Sequence, residues 1–129
     1  MADEELGYPV EIIPDSDSVF MRAHRNHVRD GEFGPGVFRA HAGGMSVDWD
    51  KYSSADATRE RGKQSRENYA VIQMGVRGIR AIKGLDVKHS PEANNRAHSN
   101  VDLPEGREDV TEVRLHLGRL AEIVIPLKS

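Results

Sequence analysis

The run from Tyr69 to Val76, Tyr-Ala-Val-Ile-Gln-Met-Gly-Val, is the most apolar stretch of the chain. A run of that length and composition, bounded by polar segments, predicts a central strand around which other strands must be arranged. Val19 to Val28 is the other well-marked strand. Its alternation puts Val19, Met21, Ala23 and Arg25 on one face and Phe20, Arg22, His24 and Asn26 on the other. A strand that shows Arg22 and His24 side by side either turns that face to solvent or lines a pocket.

Shorter signals fill the rest of the chain. Val10 to Pro14 reads as a short edge strand stopped by Pro14, and Asp15 to Ser18 as a turn. Three Gly and a Pro make Arg29 to Gly36 a loop. Val37 to His41 and Met45 to Trp49 are strand candidates joined at Gly43-Gly44, which suits a hairpin turn or a close approach of backbone to ligand. Ser53-Ser54-Ala55-Asp56 starts a helix with a Ser cap and an acid in the first turn, but Ala55 to Gln64 has almost no apolar face, so that helix is short or exposed. Arg77 to Lys83 makes one or two helical turns stopped by Gly84. Leu85 to His89 is then a strand, in a different sheet from Tyr69 to Val76 or antiparallel to it, because the connection is too short for an ordinary parallel crossover. Ser90 to Leu103 reads as a long polar loop. From Asp109 onward Val110, Val113, Leu117, Leu120, Ala121 and Val124 mark the main helix, with a strand over Thr111 to Leu117 as the rival reading.

These elements predict an α+β fold: a single domain, residues 19–129, with a mostly antiparallel sheet of short strands and a C-terminal helix packed on one face. Residues 1–18 carry six acids and no Lys or Arg, and form an acidic, partly disordered N-terminal segment. A chain of 129 residues has room for one core, and 5% aromatic content points to an aliphatic one. No apolar run is long enough to span a membrane, and the opening Met-Ala-Asp-Glu-Glu-Leu is no leader, so a cytoplasmic location is expected. With no Cys, disulfides and thiolate chemistry are excluded.

Candidate site residues come from a recurring spacing. Arg22/His24, Arg39/His41, Arg96/His98 and Arg114/His116 each place His two positions after Arg, which on a strand sets a cation beside an imidazole on one face. Such pairs suit a phosphate, with Arg as clamp and His as donor or titrating partner. The expected ligand-binding set is Arg22, His24, Arg39, His41, Gly43, Gly44, Arg96 and His98. His24-x-x-His27, with His41 or Asp48 as further ligands, invites a metal reading, but on a strand i and i+3 point to opposite sides, and no metal site is expected. Ser46, Ser53, Ser54, Ser90 and Ser99 lie in no nucleophile motif, and the Gly31 to Gly36 segment lacks the Lys of a phosphate loop. Between Ala57 and Lys88 eight Lys or Arg face three acids, which reads as a solvated basic face. Without aromatic interleaving it makes nucleic acid an unlikely partner.

The order Val19-Phe20-Met21-Arg22, Gly43-Gly44, Tyr52-Ser53-Ser54 and Glu60 resembles the start of RES-type toxins and related ADP-ribosyltransferase-like folds. That resemblance implies an NAD pocket in which Arg22 clamps the pyrophosphate, Tyr52 stacks on nicotinamide and Glu60 polarises the ribose. It adds Tyr52 and Glu60 to His24 as catalytic candidates. The chain departs from the family at Met45-Ser46, where the family has Arg-Trp. Gly44 to Trp49 and His89 to His98 also resemble small bacterial proteins, a likeness that implies no activity. The functional expectation is a pocket for a small phosphate-bearing molecule, a nucleotide or NAD-like ligand. Its alternative is a non-catalytic module that binds a protein partner through the basic stretch or the acidic segment.

Overall fold

The computed structural model describes residues 8–34, 37–38, 44–103 and 111–127. The calls on residues 1–7, on positions 39–41 of the expected strand Val37–His41 and on Arg39, His41, Gly43 and Val110 lie outside them, and Val37 and Phe38, which are described, are not strand. Among the described residues the order is β1 (Ser18–His24), β2 (Val28–Arg29), β3 (Glu32–Phe33), β4 (Gly44–Trp49), α1 (Ala55–Glu60), β5 (Tyr69–Gly75), α2 (Val76–Ala81), β6 (Asp86–His89), β7 (His98–Asp102), α3 (Thr111–Leu120) and β8 (Glu122–Ile125). Six strands form one sheet in the order β6-β7-β4-β1-β5-β8, every neighbouring pair antiparallel, and β2 and β3 form a small ladder apart from it. The α+β class and the C-terminal helix are as expected, and no described helix is long and apolar enough to cross a membrane.

The two apolar signals at the ends of the argument meet directly. Tyr69–Gly75 pairs with Ser18–His24 along its whole length, from Ser18 opposite Gly75 to His24 opposite Tyr69. Val19, Met21 and Ala23 face the core with Ala70, Ile72 and Met74, joined by Met45, Val47 and Trp49 of β4 and Val87 and Val101 of the far strands. Ile79 of α2 and Val113 and Leu117 of α3 cover this face. The core is mostly aliphatic, but its largest fully buried side chains are Trp49 and Phe38. The opposite face carries Phe20, Arg22 and His24, and α1 lies against it at β1 and β5.

Several local expectations change. Val10 to Pro14 is not a strand: Pro9 and Pro14 lack the N–H a ladder needs, and the segment instead plugs Ile13, 1% exposed, into the core while Ile12 is 90% exposed. The acidic segment is therefore docked from Glu11 onward. β1 stops at His24, where His24 Nδ1 accepts the Asn26 N–H and caps a 3₁₀ turn at Arg25–His27. The expected loop after Arg29 holds the β2–β3 hairpin, whose tip is Asp30-Gly31 with φ of 54° and 79°, the positive angles of a two-residue type I′ turn. β5 and β6 belong to one sheet and, by the alternation of strands, run the same way at separated positions, with α2 crossing between them. His98–Asp102 is a strand rather than loop because Ser99 and Val101 alternate inward. Over Thr111 to Leu117 the helix wins: Val113 and Leu117, four apart, are buried while Leu115 is half exposed. That helix ends at Leu120, and Val124 belongs to β8.

Arg80 ties the crossover to the N-terminal segment. Its guanidinium donates to Ile13 O (2.8 Å), Asp15 Oδ1 (2.6 Å), Asp86 Oδ1 (2.9 Å) and Val87 O (2.9 Å). Partial burial alone would raise the Asp86 carboxyl, but the hydrogen bonds from Arg80 and from the Val87 N–H outweigh it and hold the group below the usual aspartate range. A carboxyl depressed on folding stabilises the protein above its unfolded value, about 4, and the contribution is lost as pH falls through the lower native value. Arg80→Met is expected to cost about 1–2 kcal/mol at about pH 7. Urea melts of the two proteins should show that gap narrowing, without vanishing, at about pH 3, because the two carbonyls still lose their donor. A gap that grows on acidification would contradict this role.

Candidate functional site

The polar face of the sheet opens where β1 and β4 part. The two strands pair only at Val19 with Trp49 and Phe20 with Asp48, whereas β4 pairs with β7 at five positions from Gly44 to Asp48. Continued in register, Arg22 would stand opposite Ser46. The ladder ends first, and a cleft of about 410 Å³ lies there, lined by Arg22, Ser46, Asp48, Thr58, Arg61 and His98 among others. This volume sits in the lower part of the range of about 300–1,000 Å³ for small-molecule sites.

Asp48 organises the walls. It is 4% exposed, and a carboxylate so buried must be met by donors. Oδ2 accepts from Thr58 Oγ1 (2.8 Å) and from Arg61 Nη1 (2.8 Å), and Oδ1 accepts from Asn95 Nδ2 (2.9 Å). Thr58 lies in α1 and Arg61 is its C-cap; α1 is a short helix begun by Ser54, whose Oγ accepts the Ala57 N–H at 3.1 Å. Asn95 lies in the 90–97 connection, which its own Oδ1 stiffens by accepting the Ala97 N–H (3.1 Å). One side chain thus fastens α1 and that connection to the sheet.

Three nitrogen groups face the cleft. Arg22 donates Nη1 to Thr58 O at 2.7 Å; among the described residues no carboxylate is bonded to it. A guanidinium has five N–H donors in a planar fork, so Arg22 has more to offer. Arg61 is held by Asp48 and by Ser53 Oγ (2.8 Å) at its Nη1. His98 Nδ1 lies 2.7 Å from Ser90 O, and Nε2 lies 3.3 Å from Ser46 Oγ. A carbonyl oxygen only accepts, so Nδ1 carries the hydrogen and the neutral ring presents its Nε2 lone pair to the cleft. Glu92, Asn94 and Asn95 form the rim.

The expected site residues divide. Arg22 and His98 share the cleft. His24, on the same face as Arg22, has both nitrogens engaged elsewhere: Nδ1 with the Asn26 N–H and Nε2 with Gln64 Oε1 (3.0 Å). It closes a turn. Gly44 begins β4 opposite Asp102, close against Val101 O, and does not line the cleft. Arg96 belongs to a second cluster. Its guanidinium stacks 4.1 Å above the Tyr52 ring and 5.0 Å from that of Tyr8, and it lies 3.7 Å from Glu11. Tyr52 donates its hydroxyl to Glu11 Oε2 at 2.5 Å, and Lys51 pairs with Glu11 at 2.8 Å. The Lys51 hydrogen bond, then that of Tyr52, holds Glu11 below the usual carboxyl range, and Glu11 in turn raises Lys51. His89, 4% exposed, accepts the Glu11 N–H at Nδ1 (3.0 Å) and donates from Nε2 to Arg96 O (2.7 Å). The cluster straps residues 8–13 to the sheet. Glu60 is on the outer surface beside Arg66 at 3.3 Å, so of Arg22, Tyr52 and Glu60 only Arg22 reaches the cleft.

The basic stretch is not one solvated face. Arg59 is buried and donates Nε to Arg66 O and Tyr69 O. Arg61, Arg66, Arg80 and Lys88 each lie within salt-bridge range of an acid. Thr58, Arg61 and Asn95 escaped the sequence reading, since no short spacing joins them; Asp48 entered it only as a further ligand of a metal site that the strand geometry argued against, although alternation along β4 already turns it away from Val47 and Trp49. No protein-family model, no curated protein and no solved structure matches the chain.

Removing the Asp48 carboxylate leaves Thr58, Arg61 and Asn95 without their acceptor. Asp48→Ala is expected to lose about 3 kcal/mol of stability, with amide exchange rising in α1 and 92–95 before it rises in β5. A loss below about 1 kcal/mol, or uniform exchange, would show that these segments are held by something else.

Proposed function

We propose that the cleft between β1, β4, β7 and α1 binds a small phosphate-bearing molecule. The observation that carries this reading is Arg22: a guanidinium fixed by one carbonyl on the cleft floor, with no carboxylate bonded to it among the described residues and with donors left for a ligand. A planar fork of this kind matches phosphate oxygens in bidentate fashion. Arg61 adds donors on the facing wall. Its charge is offset by Asp48, so it contributes hydrogen bonds more than net potential. His98 Nε2 and Asn94 supply polar groups for the remainder of the ligand. The volume favours a phosphate with a sugar or a similar small body, while a nucleotide or NAD-like molecule would extend past the rim formed by Glu92.

Titration calorimetry at low salt with inorganic phosphate, ribose 5-phosphate, AMP, ADP-ribose and NAD tests this. At least one phosphate-bearing member should bind while its dephosphorylated counterpart does not, and Arg22→Ala should weaken binding by at least about tenfold, equivalent to 1.4 kcal/mol. Arg22→Lys should restore it only in part, because an ammonium cannot make the bidentate contact. Failure of every member to bind at millimolar concentration would overturn the reading.

A further inference from the structure

Ser46 and His98 form an arrangement that ligand binding alone does not need. On the cleft face of the β4–β7 ladder Asp48 pairs with His98 and Ser46 with Asn100, so Ser46 and His98 are diagonal neighbours. The exposed Ser46 hydroxyl lies 3.3 Å from His98 Nε2. The ring cannot turn away freely, because its Nδ1–H is held by Ser90 O at 2.7 Å, and Ser90 is itself fixed by donating its N–H to His98 O at 3.0 Å. The parts are those of an activated nucleophile: a hydroxyl, a base with its lone pair toward it, and a group that orients the base. A contact of this length is common before substrate tightens it. Register adds the last element, since the position facing Ser46 across the parted strands is that of Arg22.

We propose that Ser46 accepts the phosphoryl group of a phosphomonoester held by Arg22, with His98 as general base. The proposal rests on the phosphate-binding reading of the cleft. Ser46 Oγ forms a bond to phosphorus as the bond from phosphorus to the ester oxygen breaks. The Ser46 proton passes to His98 Nε2, which keeps it, and the departing alkoxide, on the far side of phosphorus in line with Oγ, takes a proton from solvent and leaves as an alcohol. Water then attacks the phosphoserine from the side the alcohol left, releasing one proton to solvent; the bond from Oγ to phosphorus breaks, and His98 Nε2 returns its proton to Ser46. The products are an alcohol and inorganic phosphate. Guanidinium donors of Arg22 and Arg61 offset the charge on the non-bridging oxygens during both transfers.

The test uses p-nitrophenyl phosphate as substrate and inorganic phosphate as binding probe. The full chain should release p-nitrophenolate, and acid-quenched protein should carry one phosphoryl group on the peptide that contains Ser46. Ser46→Ala should lose both while its calorimetric affinity for inorganic phosphate stays within about threefold. His98→Asn, whose amide can still donate to Ser90 O, should slow release by about 10²–10⁴-fold with its melting temperature and phosphate affinity nearly unchanged. If phosphate binds but release and labelling do not exceed those of Ser46→Ala, the nucleophile assignment falls and the phosphate-binding reading stands. If release occurs while Ser46 stays unlabelled and Ser46→Ala is fully active, the assignment also falls. If phosphate and the other phosphate-bearing ligands do not bind at all, both readings fall together.

Discussion

A buried carboxylate needs partners, and Asp48 draws its partners from two segments that would otherwise have little reason to dock. α1 is one and a half turns long with scarcely an apolar side chain, far below the length at which a helix stands by itself. The 90–97 connection is mostly polar and buries only Ala97 among its apolar residues. Each sends donors to Asp48, Thr58 and Arg61 from one side and Asn95 from the other, beside the bonds of Arg59 to the start of β5 and of His89 to Arg96 O. The arrangement has a stability cost in desolvation that an apolar residue would avoid. In return it fixes direction, because hydrogen bonds set the azimuth of α1 in a way that a few methyl groups would not. Thr58 O then lies where Arg22 can donate to it, so the position of the cleft's cation follows from the position of the buried anion.

The same economy governs the other charged residues. Arg80 closes the crossover against residues 13–15, Arg59 satisfies carbonyls at the start of β5, and Arg96 and Lys51 hold Glu11. With few aromatic and long aliphatic side chains available outside the main core, the loops are secured by guanidinium groups that satisfy several backbone carbonyls at once. Most Arg side chains among the described residues are accordingly engaged with carbonyls, carboxylates or rings.

The sheet was legible where one side chain in two had to be buried. β1, β4 and β5 announced themselves by apolar alternation or a continuous apolar run, and the Ser cap located the start of α1, although the helix stops at Glu60, short of Gln64. Readings failed where the deciding partner was distant in sequence. Val10 to Ile13 has strand composition, but His89 takes the Glu11 N–H and the core takes Ile13, so the segment becomes a strap. His98 to Asp102 reads as polar loop because only Ser99 and Val101 turn inward. Of the site, the Arg-x-His spacing located Arg22 and His98 but put the pairs Arg22/His24, Arg39/His41 and Arg96/His98 on one footing. Their fates diverge with context: His24 caps a turn, Arg96 stacks on Tyr52, and Arg114 and His116 lie on α3. Spacing tells which side chains share a face and says nothing of which neighbours reach them first.

Why Arg22 rather than the others is left facing a cavity follows from register. Along β1 the face that carries Phe20, Arg22 and His24 passes three environments within 7 residues. At Phe20 the strand is still paired with β4, opposite Asp48, and the side chain lines the cleft with no donor to offer. At His24 the chain is about to turn, and the Asn26 N–H and the Gln64 side chain take the two ring nitrogens. Between them β1 has left β4 but still has β5 on its other edge, so Arg22 has a rigid backbone and an open flank. A cation on a rigid strand beside a gap, opposite the position of Ser46, is a consequence of where one ladder stops. It needs no motif, and for that reason motif reading does not find it.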